Sequence, residues 1–191
     1  AVCTTNQPSS VLTLEVQANV NCVKYNPICG HSLAVGCADR TARLYDLRQP
    51  AAPVHVFAGH KMAVSYVEFL SGSELASAGT DHTLRLWDIQ KTCLRRVYQG
   101  HYNNKSFVGL SVRNDFLACG SETNEVFVYH KEASKPVCSF KFDGEQPVPD
   151  HQGDPPDEAQ SFVSAVCWRG DSSTMLAANS QGKIKVLELT Q

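Results

Sequence analysis

The sequence predicts an all-β chain built from about four repeated four-stranded units, and three observations carry that prediction. The first is self-similarity at a step of 42 residues. Asp39, Thr41, Arg43, Leu44 and Asp46 fall 42 positions before Asp81, Thr83, Arg85, Leu86 and Asp88, Tyr45 falls 42 before Trp87, and a further step of 42 reaches Tyr129. The second is the pair of dipeptides Gly59-His60 and Trp87-Asp88 within one unit. The third is alternation at period two, as in Val64, Tyr66 and Glu68 or Leu84 and Leu86, with no stretch of helical period. A repeat of about 40–45 residues with Gly-His and Trp-Asp dipeptides is the signature of β-propeller blades.

Each blade should hold four antiparallel strands, a to d from the axis outward. In the first unit (approximately 18–58) these are expected at 21–26, 33–37, 42–46 and 54–57. The second (59–99) places them at 64–70, 74–78, 84–89 and 94–98, and the third (100–142) at 107–112, 116–120, 126–130 and 137–142. The fourth (161–191) has 163–168, 175–178 and 183–189 and no strand d. Asn26-Pro27, Asp39-Arg40, Ser71-Gly72-Ser73, Asn114-Asp115 and Gly170-Asp171 supply turns.

Two irregularities stand out. Tyr129 and its counterpart Leu187 are 58 positions apart, 16 more than one period. The excess lies in residues 143–160, with four prolines, six acidic residues, no Lys or Arg and no aromatic residue. That composition predicts an acidic loop, either a solvated insertion or an electrostatic regulatory arm. At the start, residues 11–14 look like an outer strand d whose inner partners would precede residue 1. It either completes the last blade and closes a four-bladed ring, or belongs to a larger ring of which this is the C-terminal part. The larger ring would leave two apolar blade faces open here, the mark of a missing partner or an aggregation liability.

Composition excludes several classes. The chain has 191 residues, 42% of them hydrophobic and 19% charged, which suits an ordered globular core. A net charge of -2 gives no electrostatic case for nucleic acid or an anionic membrane. The longest apolar runs are strand-sized, so no bilayer-spanning helix is expected. The first residues carry neither a charged nor an apolar leader segment, and the chain starts without Met, so a fragment without a signal peptide is expected. The eight cysteines, at 3, 22, 29, 37, 93, 119, 138 and 167, include no C-x-x-C pair. They are expected to be reduced structural thiols, several of them, such as Cys22, Cys119 and Cys167, buried in strands. None of the seven histidines pairs at metal-binding spacing, His31 and His130 read as turn or edge residues, and no phosphate-cradling glycine loop occurs.

His60, Ser77 or Thr80, Asp81 and Trp87 could be mistaken for a hydrolase set. They read better as one buried hydrogen-bond chain tying loop to sheet, because buried polar groups must be paired. The pattern recurs in degraded form. The third unit keeps His101 but has Tyr129 for Trp and Glu122 near the Asp position, and the first has Asp39 and Tyr45 with no matching Gly-His. A recurring motif is scaffold, so no catalytic residue, metal or cofactor is assigned. The loops of one face offer Arg40, Lys61, Met62, His82, Asn103, Lys105, Phe107 and Asn124. Basic residues ringed around an aromatic would suit a short peptide with an apolar anchor; alternatively Phe107 is strand-a core and the lysines are solvated.

These segments together resemble the plant constitutive photomorphogenesis ubiquitin ligase and its suppressor-of-phytochrome-A partners, over nearly the whole chain. The resemblance is carried by Asn21-Cys22-Val23-Lys24-Tyr25-Asn26-Pro27, by Gly59-His60-Lys61 with Ala63-Val64-Ser65-Tyr66-Val67, and by Thr83-Leu84-Arg85-Leu86-Trp87-Asp88. The most specific piece runs from Ala118-Cys119-Gly120-Ser121-Glu122-Thr123-Asn124-Glu125 to Val126-Phe127-Val128-Tyr129-His130-Lys131. The ending, Trp168-Arg169-Gly170 through Ala177-Ala178-Asn179-Ser180, is similar to the suppressor branch and the middle to the ligase branch, which leaves the branch open.

The resemblance implies a seven-bladed C-terminal propeller of a nuclear ubiquitin-ligase complex repressing light signalling, present also in the cytoplasm. It captures transcription factors and photoreceptors through short Val-Pro peptides and assembles with family paralogues. It implies a peptide-pocket role for Phe107, with Arg40, Lys61 and Lys105 as polar rim; Met62 stands where the family has lysine and Arg40 where it has histidine. It further implies that Tyr45-Asp46-Leu47-Arg48 matches a Trp-Asp-x-Arg box for a cullin-ligase adaptor, whereas Trp87-Asp88-Ile89-Gln90 lacks the Arg. Tyr45, Asp46 and Arg48 are therefore the expected docking residues, and a turn ending strand c is the equal alternative. The family's RING finger and kinase-like regions lie outside this sequence, so ubiquitin transfer is not assigned to it. A structural propeller without a peptide pocket is the competing reading.

Overall fold

The computed structural model describes residues 2–3, 10–142, 161–170 and 172–190. Within them the secondary structure is entirely β. The first short hairpin pairs β1 (Val2–Cys3) with β2 (Ser10–Leu12). A first blade then follows as β3 (Val20–Tyr25), β4 (Ser32–Cys37), β5 (Thr41–Asp46) and β6 (His55–Ala58). The second is β7 (Val64–Ser71), β8 (Glu74–Gly79), β9 (Thr83–Asp88) and β10 (Cys93–Tyr98). The third is β11 (Leu110–Arg113), β12 (Phe116–Cys119), β13 (Glu125–His130) and β14 (Cys138–Lys141). The fourth has three strands, β15 (Val163–Trp168), β16 (Thr174–Asn179) and β17 (Ile184–Glu188). All pairings between sequential strands are antiparallel.

The blades form a β-propeller. Their innermost strands β3, β7, β11 and β15 touch in succession around a hub. Cys22, Lys24, Tyr66, Glu68, Leu110 and Val166 line a hub cavity of about 230 Å³. In it Lys24 pairs with Glu68, whose carboxyl burial pushes up despite that ammonium.

Period-two alternation decides which blade each side chain meets. On β9, Trp87 packs toward the first blade with Ala34, Leu44, Phe57 and Val67. Leu84 and Leu86 point the other way, onto Leu110, Leu117 and Tyr129 of the third blade. A third core joins Val126, Val128 and Phe142 to Val166, Trp168 and Met175. β8 is sandwiched on both faces, so every residue from Glu74 to Gly79 is buried and the small residues Ala76, Ser77 and Ala78 allow the close approach.

Three expectations need correction. The N-terminal strand ends at Leu12 and pairs with β1 rather than with β17, so it does not close a four-bladed ring. Leu14, Val16 and Ala18 instead cover part of the first blade's outer face, over Leu33, Val35, Cys37 and Tyr45. The innermost strand of the third blade starts at Leu110, three residues later than its apolar pattern indicated. Gly109 adopts φ +79, and a Cβ there would stand 2.8 Å from the Val166 nitrogen, so the chain turns in against the fourth blade before it can pair. Finally Cys167 is exposed rather than buried, because it faces outward on the last blade beside Leu176, at 46% exposure. With Ile184 and Val186 at 71% and 69%, that outer face is apolar and open among the described residues. The acidic 143–160 segment lies outside the described residues.

Candidate functional site on the upper face

The b–c turns and the d–a loops emerge at the same end of the blades. They are stitched together there by hydrogen bonds. Trp87 Nε1–H donates to Ser77 Oγ at 2.8 Å, and Ser77 Oγ lies 2.7 Å from His60 Nε2. His60 Nδ1 lies 3.0 Å from Asp81 Oδ1, which also accepts from Thr83 Oγ1 at 2.7 Å. Asp81 Oδ2 accepts from the Lys61 backbone N–H at 2.8 Å. Burial works to raise the Asp81 pKa, yet these donors hold the carboxyl well below the usual carboxylate range. Ser77 is the hydroxyl in the chain; Thr80 turns instead to the Ala63 carbonyl. With Ser77 0% exposed and its oxygen already shared by Trp87 and His60, no substrate can reach a nucleophile here. The set is a scaffold that fixes the 59–63 loop on the sheet.

The third blade solves the same problem differently. His101 Nδ1 sits 2.9 Å from Tyr129 Oη, which also accepts from the His101 backbone N–H at 3.2 Å. Glu122 does not join this pair as its position suggested. Its Oε1 instead accepts from the backbone N–H groups of Asn104, Lys105 and Ser106 at 3.1, 2.7 and 2.7 Å. Burial would raise the Glu122 pKa, and these three donors lower it below its ordinary value. In the first blade, which has no Gly-His, Asp39 bonds Thr41 and Arg43 within its own turn.

Phe107, expected to begin a strand, instead stands on the d–a loop at 50% exposure, edge-on to Tyr66 with ring centroids 5.8 Å apart. The Glu122 clamp on residues 104–106 immediately precedes it, so the ring is presented from a tethered loop. Arg40, Lys61, Met62 and Lys105 are exposed at this end of the blades. No ion pair among the described residues occupies the side chains of Arg40, Lys61 or Lys105. The structure brings together the Trp87 chain and the Phe107–Tyr66 pair, and the rim residues stand as exposed groups beside them. Two features escaped the sequence reading. His82 stacks on the exposed Tyr102 at 4.5 Å, with its Nδ1 accepting from the Asn103 N–H at 3.1 Å. Thr83 belongs to the Asp81 network, which the repeat of Asp39 and Thr41 could have disclosed.

At the opposite end of the blades, Tyr45, Asp46 and Arg48 do not form one exposed box. Tyr45 is only 3% exposed, beneath the 14–18 segment. Arg48 folds back on Asp46, with Nη2 2.6 Å and Nε 3.0 Å from its carboxylate oxygens, and these bonds hold the Asp46 pKa at about 2. Arg48 is the accessible member of the three.

The family model of the WD domain, G-beta repeat, matches residues 8–46 and 51–88. E3 ubiquitin-protein ligase COP1 from Pisum sativum is 58% identical over 97% of the chain and 27% of its own length. Protein SPA1-RELATED 4 from Arabidopsis thaliana is 48% identical over 96% of the chain and 24% of its own length. WD repeat-containing protein RUP2, also from Arabidopsis thaliana, is 45% identical over 87% of the chain and 45% of its own length. The chain thus spans about a quarter of the length of the first two. The crystal structure of the computationally designed Ika4 protein superposes with a TM-score of 0.71 at 16% identity, covering 96% of this chain and all of that one, a likeness of fold alone.

Proposed function

Because the chain belongs to the WD-repeat family of COP1 and the SPA1-related proteins, we propose that it is a substrate-recognition and scaffold module of a nuclear, cullin-RING-type ubiquitin-ligase complex that represses light signalling. Its upper face receives short Val-Pro peptides of transcription factors and photoreceptors, and ubiquitin transfer belongs to other parts of such a complex. The observation that carries the reading is Phe107, a half-exposed aromatic presented edge-on to Tyr66 from a loop clamped by Glu122. An aromatic held this way buries apolar area on binding at little entropic cost, the property of an interface anchor. Arg40, Lys61 and Lys105 supply the cationic rim, which steers an acidic-flanked peptide more than it holds it.

The test is titration of a Val-Pro peptide against the full-length protein carrying this segment. Phe107→Ala is expected to weaken binding at least about tenfold, the loss of a modest anchor. Unchanged affinity removes the assignment.

A second reading, a structural propeller that binds through its sides, draws support from the open apolar face of Leu176, Ile184 and Val186. Cullin-adaptor docking on the lower end would then rest on Arg48, since Tyr45 is buried. Pull-down with Arg48→Ala separates the two: loss of the adaptor with peptide affinity retained is the expected outcome if that edge docks.

A further inference from the structure

The lower end of the first blade carries a second cluster that peptide recognition does not use. The turn from β3 to β4 brings Cys29 Sγ to 3.0 Å from His31 Nε2. Among the described residues, no other cysteine sulphur has a histidine nitrogen within hydrogen-bond distance. The geometry is held from several sides. Asn26, buried, accepts from the Ile28 and Cys29 N–H groups at 2.9 and 3.1 Å and donates to the Gly72 carbonyl at 3.1 Å. The Ser32 N–H donates to the Cys29 carbonyl at 3.0 Å, and the Leu47 N–H to the His31 carbonyl at 2.8 Å. That last bond fastens the turn to the Asp46–Arg48 turn. The approach is open: Cys29 is half-buried, its neighbours Ile28 and Gly30 are exposed, and a Cβ built on Gly30 would meet nothing within 4 Å.

We propose that Cys29 is a peroxide-reactive thiol, with His31 as its base. A thiolate, not a thiol, is the nucleophile, and a basic nitrogen at hydrogen-bond distance is positioned to take its proton. The chemistry is closed by one hydroperoxide. His31 Nε2 takes the thiol proton, and the thiolate attacks one peroxide oxygen. The S–O bond forms as the O–O bond breaks, and the leaving hydroxide takes the proton from His31 to depart as water. Cys29 is oxidised to the sulfenic acid and the peroxide is reduced. The other thiols among the described residues differ. Burial pushes Cys22, Cys37, Cys119 and Cys138 up, while Cys93 and Cys167 are exposed without a histidine partner among the described residues. This site goes beyond the peptide-binding reading and stands without it.

The test is a time course of hydrogen peroxide on the folded full-length protein, with a sulfenic-acid trap and peptide mass spectrometry. Cys29 is expected to be trapped roughly tenfold faster than the more exposed Cys93 and Cys167, since a positioned base outweighs simple access. His31→Gln should bring its rate down to theirs. Trapping of Cys29 no faster than Cys93 in the unaltered protein overturns the proposal, as does a Cys29 rate unchanged by His31→Gln. The first comparison needs no variant, so it stands whether or not a substituted turn folds.

Discussion

Replacing Gly79 with alanine is expected to lower the melting temperature by about 10 °C. Gly79 ends β8 where the hydrogen-bond chain crosses the sheet. A Cβ at this position would stand 2.3 Å from His60 Nδ1 and 2.6 Å from Asp81 Oδ1, inside the van der Waals radii of both. One of the two must leave. If His60 moves, Ser77 loses a partner and Trp87, which packs tilted against Phe57 with ring centroids 5.5 Å apart in the first inter-blade core, loses its register. If Asp81 moves, the Lys61 N–H and Thr83 hydroxyl lose their acceptor. Each orphaned buried group costs about 1–3 kcal/mol, so a total of roughly 3–5 kcal/mol is expected. At about 2–4 °C per kcal/mol for a chain of this size, the shift is easily read by calorimetry or circular dichroism. Gly30→Ala is the control, because a Cβ there meets open space; it should leave the melting temperature unchanged. Equal melting temperatures for Gly79→Ala and Gly30→Ala would refute the role given to the chain.

Acidification is expected to destabilise the protein through His101. Burial, with a smaller contribution from His82, lowers the His101 pKa to about 4 from its ordinary 6.5. Its Nδ1 is engaged by Tyr129 Oη at 2.9 Å, and that hydroxyl already accepts from the His101 backbone N–H, so it is set to donate to the ring. Between about pH 6.5 and 4 the unfolded chain binds a proton at this residue that the folded chain refuses. Stability is therefore complete above about pH 6.5 and falls as the pH is lowered to about 4, by roughly 3 kcal/mol in all. Denaturant titrations across this range, for the unaltered protein and for His101→Gln, isolate the effect as their difference. His101→Gln should flatten the dependence by that amount; identical slopes would refute it. Asp81, held well below its ordinary value of 3.8, loses its own contribution as the pH falls from about 3.8 downward, so its window begins where that of His101 ends.

Much of this molecule could be read before it was folded. The 42-residue step placed Tyr45, Trp87 and Tyr129 at equivalent points of β5, β9 and β13. That placement followed because each is the strand-c residue that must pack on the preceding sheet. His60, Ser77, Asp81 and Trp87 were legible as a group because their hydrogen-bonding capacities complement one another and recur at fixed offsets. Phe107 was half legible. Its side-chain type marked it as an anchor or a core residue, but the choice rested on the φ of Gly109 and on the Glu122 clamp, neither of which leaves a periodic trace.

The placements the sequence did not disclose share one cause. Tyr45 is hidden by a segment about 30 positions earlier in the chain, Cys167 is bared because no described strand lies over its face, and Glu122 serves backbone groups of another loop rather than His101. By itself the sequence determined the strands, their alternation and the repeating blade, because those follow from contacts between residues close along the chain. Only the tertiary structure decided which aromatic is exposed, which tyrosine is buried and which histidine meets a thiol. Those outcomes depend on where separate segments come to rest against one another, and close packing of distant side chains carries no period that a sequence can display.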